Sequence, residues 1–205
     1  MIKLAVPLEK QPHEHRVSIT PDSVSSLTKM GINVYVERNA GLNSSISDNQ
    51  YTKAGAKISN TVRDLYKNAR IIVKVQRPIK STKINEFNLI EPGANYLGLV
   101  YPHRFKQDFE LLKKRRINIF AMELMPRISR AQSMDVLSSQ SNLSGYKAVV
   151  DAASVYNKAF PLMMTSAGTV APAKVLIIGA GVAGLQAIAT AKRLGAVVFC
   201  FDVRS

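Results

Sequence analysis

Short apolar runs alternate with amphipathic stretches over the first 120 residues. Ile2 to Val6 reads as a strand. Thr20, Pro21 and Asp22 then supply an N-cap and a proline at the first helical position, with Val24, Leu27 and Met30 on one face and Gly31 as the stop. Ile32 to Glu37 predicts a second strand, Ser59 or Asn60 to Asn68 a short helix, and Ile71 to Val75 a third strand. After a polar stretch that includes Lys80 to Glu86, Tyr96 to Val100 predicts a fourth strand, Phe105 to Lys114 a helix, and Ile117 to Met122 a fifth strand. Strands separated by helices of this length predict a parallel, doubly wound α/β sheet.

The texture changes at Glu123. A stretch rich in Ser, Gln and Asn precedes a helical face of Leu143, Tyr146, Val150 and Ala153, and Pro161 interrupts it. The expected organisation is an N-terminal lobe over 1–136, a linking helix over 137–163, and a nucleotide-binding lobe over 164–205. A bridging helix of this kind lines a cleft where substrates bind.

Val175 to Ile178 is short, apolar and mostly β-branched, which suits a strand buried on both faces. Gly179, Gly181 and Gly184 follow in the GxGxxG spacing. The first permits a tight turn, the second lets a pyrophosphate approach the backbone, and the third lets the next helix pack closely. That helix carries Val182, Leu185, Ile188 and Ala189 on one side, Lys192 and Arg193 in its last turn, and Gly195 at its end. Its first turn, with Val182 and Ala183, offers free N–H groups to phosphate. A second strand, Ala196 to Phe201, delivers Asp202 at the offset expected of an acid that binds the adenosine ribose. A carboxylate there favours NAD over NADP, a preference that Arg204 could soften. The alternative is that the glycines serve only close packing. The run from Val175 to Ala191 is too short and too rich in glycine for a membrane span of ~20 apolar residues.

Apolar content of 46% with 20% charged residues is ordinary for a globular protein. Neither a signal sequence nor a span is visible, so a cytoplasmic location is expected. Cys200 is the one cysteine; it excludes an internal disulfide and sits in an apolar strand as a structural thiol. His13, His15 and His103 are too scattered for a metal site. The net charge of +14 could suit nucleic acid or an anionic membrane. Its lysines are spread along the chain without interleaved aromatics, however, and the densest run, Lys113 to Arg116, ends a helix. The expectation is therefore a solvated basic face and no nucleic acid.

These segments closely resemble the NAD(H)-binding domain of the alpha subunit of proton-translocating NAD(P) transhydrogenases. MELMPRISRAQSMDVLSSQSNLSGYKAV resembles that family's signature almost throughout, and EHRVSITP, KVQRP and GAGVAGLQAIATAKRLGA also match. The resemblance implies a flavodoxin-like doubly wound N-terminal lobe followed by the first βαβ unit of a Rossmann lobe. It further implies NAD(H) held by Arg127, Gln132, Asp135, Ser138, the three glycines and Asp202. Arg127 is assigned to the carboxamide and pyrophosphate side, and Gln132 and Asp135 to the nicotinamide ribose and ring. From spacing alone, Gln132 could instead pair with Ser129 in a capping box and Asp135 could simply start a helix.

Alanine dehydrogenases share this fold and are the competing reading. In them Arg16 and Lys74 would hold the substrate carboxylate and carbonyl, but a histidine base is also needed, and Leu99 and Val100 stand where it would be. His103 lies beyond Pro102 and reads as a surface histidine. Hydride transfer between two nicotinamides needs alignment and no acid or base, so no catalytic residue and no metal are expected. The resemblance places NADP(H) on a partner domain. It makes the rest of the alpha subunit and the beta subunit partners, suggests a homodimer, and puts the assembly on the inner face of the cell membrane only through the complex. By the same resemblance the chain is expected to be a shortened or split product, inactive unless a second polypeptide completes the nucleotide lobe; a non-catalytic remnant is the third reading.

Overall fold

The computed structural model describes residues 2–82 and 84–203, so Arg204 lies outside the described residues. The chain divides into two compact units, one ending at Pro126 and the other starting at Arg127.

The first unit alternates strand and helix. Its strands are β1 (Lys3–Val6), β2 (Asn33–Glu37), β3 (Lys57–Ser59), β4 (Ile71–Gln76), β5 (Asn95–Leu99) and β6 (Asn118–Ala121), and its helices are α1 (Pro21–Lys29), α2 (Asp48–Lys53), α3 (Val62–Tyr66), α4 (Glu86–Leu89) and α5 (Lys106–Lys114). The strands form one parallel sheet in the order β3-β2-β1-β4-β5-β6. Without the short edge strand β3, this is the flavodoxin-like order, with its reversal between β1 and β4. Alternate side chains feed two cores, one on each face. Leu4, Val6, Val24, Val34 and Tyr51 lie in one; Ala5, Tyr66, Ile72, Phe87, Tyr96 and Leu112 lie in the other.

Local chemistry explains most boundaries. Thr20 caps α1 through Ser23 N, with Pro21 behind it as expected. The helix expected from Ser59 or Asn60 starts at Val62, because Thr61 accepts the amide of Asp64 and Ser59 is paired into β3. Helix α2, with its Ser47–Gln50 capping box, is an element the hydrophobic pattern did not predict.

The second unit contains α6 (Val136–Val155), a hairpin of β7 (Met163–Thr165) and β8 (Gly168–Val170), then β9 (Lys174–Ile178), α7 (Val182–Arg193) and β10 (Val197–Phe201). Strands β9 and β10 pair in parallel from Lys174↔Val197 to Ile178↔Phe201. Val149, Phe160, Ala173, Ala187 and Ala191 form the core.

Several expectations change here. The linking helix stops at Val155: the chain turns so that Phe160 packs edge-on to Tyr156 and its carbonyl accepts Ala173 N at 2.9 Å. Its buried face is Gly145 and Val149, while Leu143 and Tyr146 are exposed. A β-carbon on Gly145 would lie 2.1 Å from the Ala183 carbonyl oxygen, so α7 seats directly on α6 backbone, and small residues select the face. In α7 the buried residues are accordingly Ala187, Thr190 and Ala191, with Leu185 exposed.

Finally, β9 is not covered on both faces. Val175 and Ile177 pack on the core, whereas Ile178 is 79% exposed, and on β10 Phe201 and Cys200 are exposed too. Among the described residues this sheet has two strands, with both helices contributing to one core, so Cys200 is not the buried thiol the apolar strand suggested.

Candidate functional site

Gln132, Asp135 and Ser138 come together in the second unit. A 3-10 turn over Ser129–Met134 leads into Asp135, which ends the turn and caps α6. Its carboxylate accepts Ser138 N at 2.9 Å and Ser138 Oγ at 2.7 Å. Those two bonds, aided by the charge of Arg127, hold the carboxyl below its ordinary value. Asp135 is therefore an ionised, acceptor-only group at neutral pH and no proton donor.

Gln132, Asp135 and Ser138, with Ser139, Asn142, Leu143 and Val182, line an open cleft of about 530 Å³. Asp135, Ser138, Ser139 and Asn142 follow helical i, i+3, i+4, i+7 spacing, a polar stripe that could have drawn attention to Ser139 and Asn142 in the sequence. Leu143, read in the sequence as part of a helical apolar face, walls this cleft. Gln132 makes no capping box with Ser129, since no side chain caps that turn. Arg127 is exposed and is not a lining residue.

Val182 ties the cleft to the glycine turn. Gly179 adopts φ +96° and donates to the Phe201 carbonyl at 2.7 Å. A β-carbon on Gly184 would lie 1.8 Å from the Gly179 carbonyl oxygen, so α7 can start against the strand only because Gly184 has none. Gly181 differs: a β-carbon there would meet nothing within 4 Å, and no side chain caps the helix it opens. The first-turn amides of Val182 and Ala183 thus border open space at the positive end of the helix, an arrangement that suits a phosphate. Asp202 accepts Ala180 N at 2.6 Å, so its carboxylate braces the turn. This geometry fits a dinucleotide.

The residues of the competing reading are engaged elsewhere. Lys74 is fully buried in the first unit, 2.7 Å from Glu86 Oε2 and 3.7 Å from Glu9 Oε2. Arg16 clasps the Glu14 carboxylate through Nε at 2.8 Å and Nη2 at 2.6 Å, and Gln76 also donates to that carboxylate at 2.8 Å. Leu99 and Val100 are buried apolar residues, and His103 is exposed beyond them.

Arg16, foremost, holds the Glu14 carboxyl down to about 2, far below its ordinary 4.5. A depressed carboxyl stabilises the fold above its unfolded value, and that contribution is lost as pH falls from about 4.5 towards about 2. Arg16 is 40% exposed, so water screens the pair. Glu14→Gln is expected to cost roughly 1–2 kcal/mol at neutral pH. Urea titrations at descending pH should show the gap between variant and wild type closing through that window.

An α/β chain in which a parallel strand runs through spaced glycines into a helix without a side-chain cap, beside an open cleft, belongs to the class built around a dinucleotide-type turn. The chain belongs to the alanine dehydrogenase/PNT family: the model of its N-terminal domain matches residues 5–144, and that of its C-terminal domain matches 148–205. It is 52% identical, over its whole length, to 53% of a polypeptide of NAD(P) transhydrogenase subunit alpha from Rhodospirillum rubrum. It is 31% identical to alanine dehydrogenase of Methanococcus maripaludis, with 98% of this chain and 53% of that protein covered. Its fold superposes on the crystal structure of transhydrogenase from Sinorhizobium meliloti with a TM-score of 0.92 at 50% identity, covering 98% of this chain and 57% of the other. The chain spans about half the length of the curated relatives it matches.

Proposed function

We propose that this chain provides a portion of the NAD(H) site of an NAD(P) transhydrogenase alpha subunit, with lobes over 1–136 and 164–205 joined by 137–163. The observation that carries the reading is the gathering of Gln132, Asp135 and Ser138 in one cleft with Val182, in the first turn after the glycines. The higher identity to a transhydrogenase subunit than to an alanine dehydrogenase supports it.

Each residue has a role suited to its chemistry. Gly181 gives the backbone room for a pyrophosphate, and the amides of Val182 and Ala183 bind it. Asp202, close behind the turn, accepts from a ribose hydroxyl as well as from Ala180. Gln132 both donates and accepts, which suits a carboxamide or ribose; Asp135 accepts only, which suits hydroxyls. Arg127 lies on the carboxamide and pyrophosphate side. A reduced nicotinamide supplies a hydride when bound. The cleft residues orient it and move no proton, since Asp135 remains ionised.

The acceptor is NADP(+) on a partner domain associated with the beta subunit, and the assembly couples transfer to proton passage at the inner face of the cell membrane. Among the described residues, no helix is long and apolar enough to cross a membrane. Polypeptide equivalent to the relatives' remaining length is proposed to wall the nucleotide pocket on the open side of β9 and β10, and two completed copies form a dimer.

The test mixes the completed protein and its partner with NADH deuterated at C4 and an NADP(+) analogue. Deuterium should appear in the reduced analogue, with pyruvate and ammonium inert as oxidants of NADH. NADH oxidation driven by pyruvate and ammonium, with no label in the analogue, would establish the dehydrogenase reading instead.

A further inference from the structure

The positive charge looks dispersed along the sequence, but the fold of the first unit gathers it. In a doubly wound sheet every helix ends, and every strand begins, at the same edge. Helix α1 ends at Lys29, β3 begins at Lys57, Lys67 follows α3, Arg70 precedes β4, and Lys113, Lys114 and Arg116 end α5 ahead of β6. All seven are exposed. A chain of backbone contacts makes the edge continuous: Asn33 N donates to Ile2 O, Arg70 N to Lys3 O, Asn95 N to Arg70 O, and Gly93 N to Arg116 O.

The opposite edge is different. Among the described residues, the ion pairs of this unit are Lys10–Glu37, Arg16–Glu14, Lys74 with Glu9 and Glu86, and Arg77–Asp108, and none uses any of the seven edge cations. Asp64 and Glu91 lie near the basic edge, where both act on Lys3, which is itself tied to the α3 carbonyls. The edge also exposes two apolar side chains, Ile2 at 50% and Met30 at 75%, beside Lys3 and Lys29.

We propose that this basic edge is a docking surface for the anionic headgroups of a phospholipid bilayer, with Ile2 and Met30 seated at the headgroup–acyl boundary. Helix dipoles explain a cation at each helix end, yet they do not call for exposed apolar side chains among them. Cations that interleave with apolar side chains are how interfacial surfaces combine attraction to anionic lipid with shallow insertion. Nucleic acid would use the cations but has no use for Ile2 and Met30, and the aromatic ring beside them, Tyr35, is half-buried with Lys3 and Lys57 over it, which leaves no open platform for bases among the described edge residues. This inference is independent of the nucleotide site.

Sedimentation of the 205-residue chain with vesicles is the test. The chain should bind vesicles of equal parts phosphatidylglycerol and phosphatidylcholine, ignore pure phosphatidylcholine, and be released by high salt. Each basic residue near an anionic surface contributes roughly fivefold, so Arg70→Glu, Lys114→Glu and Arg116→Glu together should weaken partitioning by about a hundredfold or more. Lys158→Glu in the second unit should leave it unchanged. Ile2→Ser with Met30→Ser should weaken partitioning while keeping its salt dependence, which supplies an independent arm should the triple variant lose its circular dichroism. Failure to bind the mixed vesicles, equal losses in the edge and Lys158 variants, or tighter binding to single-stranded DNA or polyglutamate than to the vesicles would overturn the proposal.

Discussion

Lys74→Met is expected to destabilise the first unit by about 3–5 kcal/mol, because it strands charge in a dry interior. Lys74 Nζ is fully buried between Glu86 and Glu9, whose side chains are 0% and 1% exposed. Burial already pushes the Glu9 carboxyl up, and the neighbouring Lys74 charge is the foremost influence holding it down. Without that ammonium, Glu86 retains an amide bond from Ile79 and Glu9 those from Val75 and Gln76, too little to hold two carboxylates in a low dielectric. The chain has no tryptophan, and Tyr51, Tyr66 and Tyr96 are buried in this unit, so tyrosine fluorescence during urea unfolding reports on it. Adding Glu9→Gln and Glu86→Gln to Lys74→Met should recover much of the loss. A change below about 1 kcal/mol in Lys74→Met would mean that water reaches the cluster.

The second large effect separates folding from nucleotide binding within one glycine turn. Gly184→Val drives a side chain into the Gly179 carbonyl, whose oxygen lies 1.8 Å and carbon 2.8 Å from where the β-carbon must sit, and these backbone atoms have little room to yield. This variant should lose the helical dichroism of the second unit. Gly181→Val should not: its φ of −73° is open to any residue, and nothing lies within 4 Å of the new β-carbon. It fills the open space where the proposed function seats a pyrophosphate, and should weaken NADH binding by roughly a hundredfold or more, about 3 kcal/mol, with an unchanged melting temperature. Calorimetric titration of NADH and thermal unfolding, measured on both variants in the completed protein, give the contrast. Equal NADH affinity in Gly181→Val and wild type would remove the glycine turn from the binding site.

Elements marked by chemistry at their ends were legible in the sequence. Thr20 with Pro21 located α1, and the strand, glycines and second strand located the glycine turn between β9 and α7, because capping and close approach each require a particular residue type. Faces were less legible. Leu143, Tyr146, Val150 and Ala153 mark a face of α6 in the sequence, yet Gly145 and Val149 are the buried residues, since contact with Ala183 backbone is governed by what is absent from a side chain. The same attention to large apolar residues passes over the polar stripe through Ser139 and Asn142. Strand β3, three residues at a sheet edge, and the β7–β8 hairpin have too little apolar alternation to register. Charge was the least legible property: cations tens of residues apart share one edge only because all six strands of the sheet run parallel.

The ion-pair geometry also bears on the dehydrogenase alternative. Arg16 and Lys74 are the right residue types for holding a keto acid, but one is clasped by Glu14 and the other enclosed by Glu9 and Glu86. Both serve the architecture of the first unit as they stand. The cleft in the second unit has the opposite character, with an open mouth, walls of mixed polar and apolar side chains and a carboxylate fixed in its ionised form.

A crystal structure of the completed protein with NADH tests the central claim most directly. The account predicts the nicotinamide ring beside Gln132, Asp135 and Ser138, with the pyrophosphate over Gly181 and on the amides that follow it. A ring lodged against Arg16 and Lys74 at the carboxyl edge of the first unit, with Gln132 and Asp135 facing solvent, would contradict it.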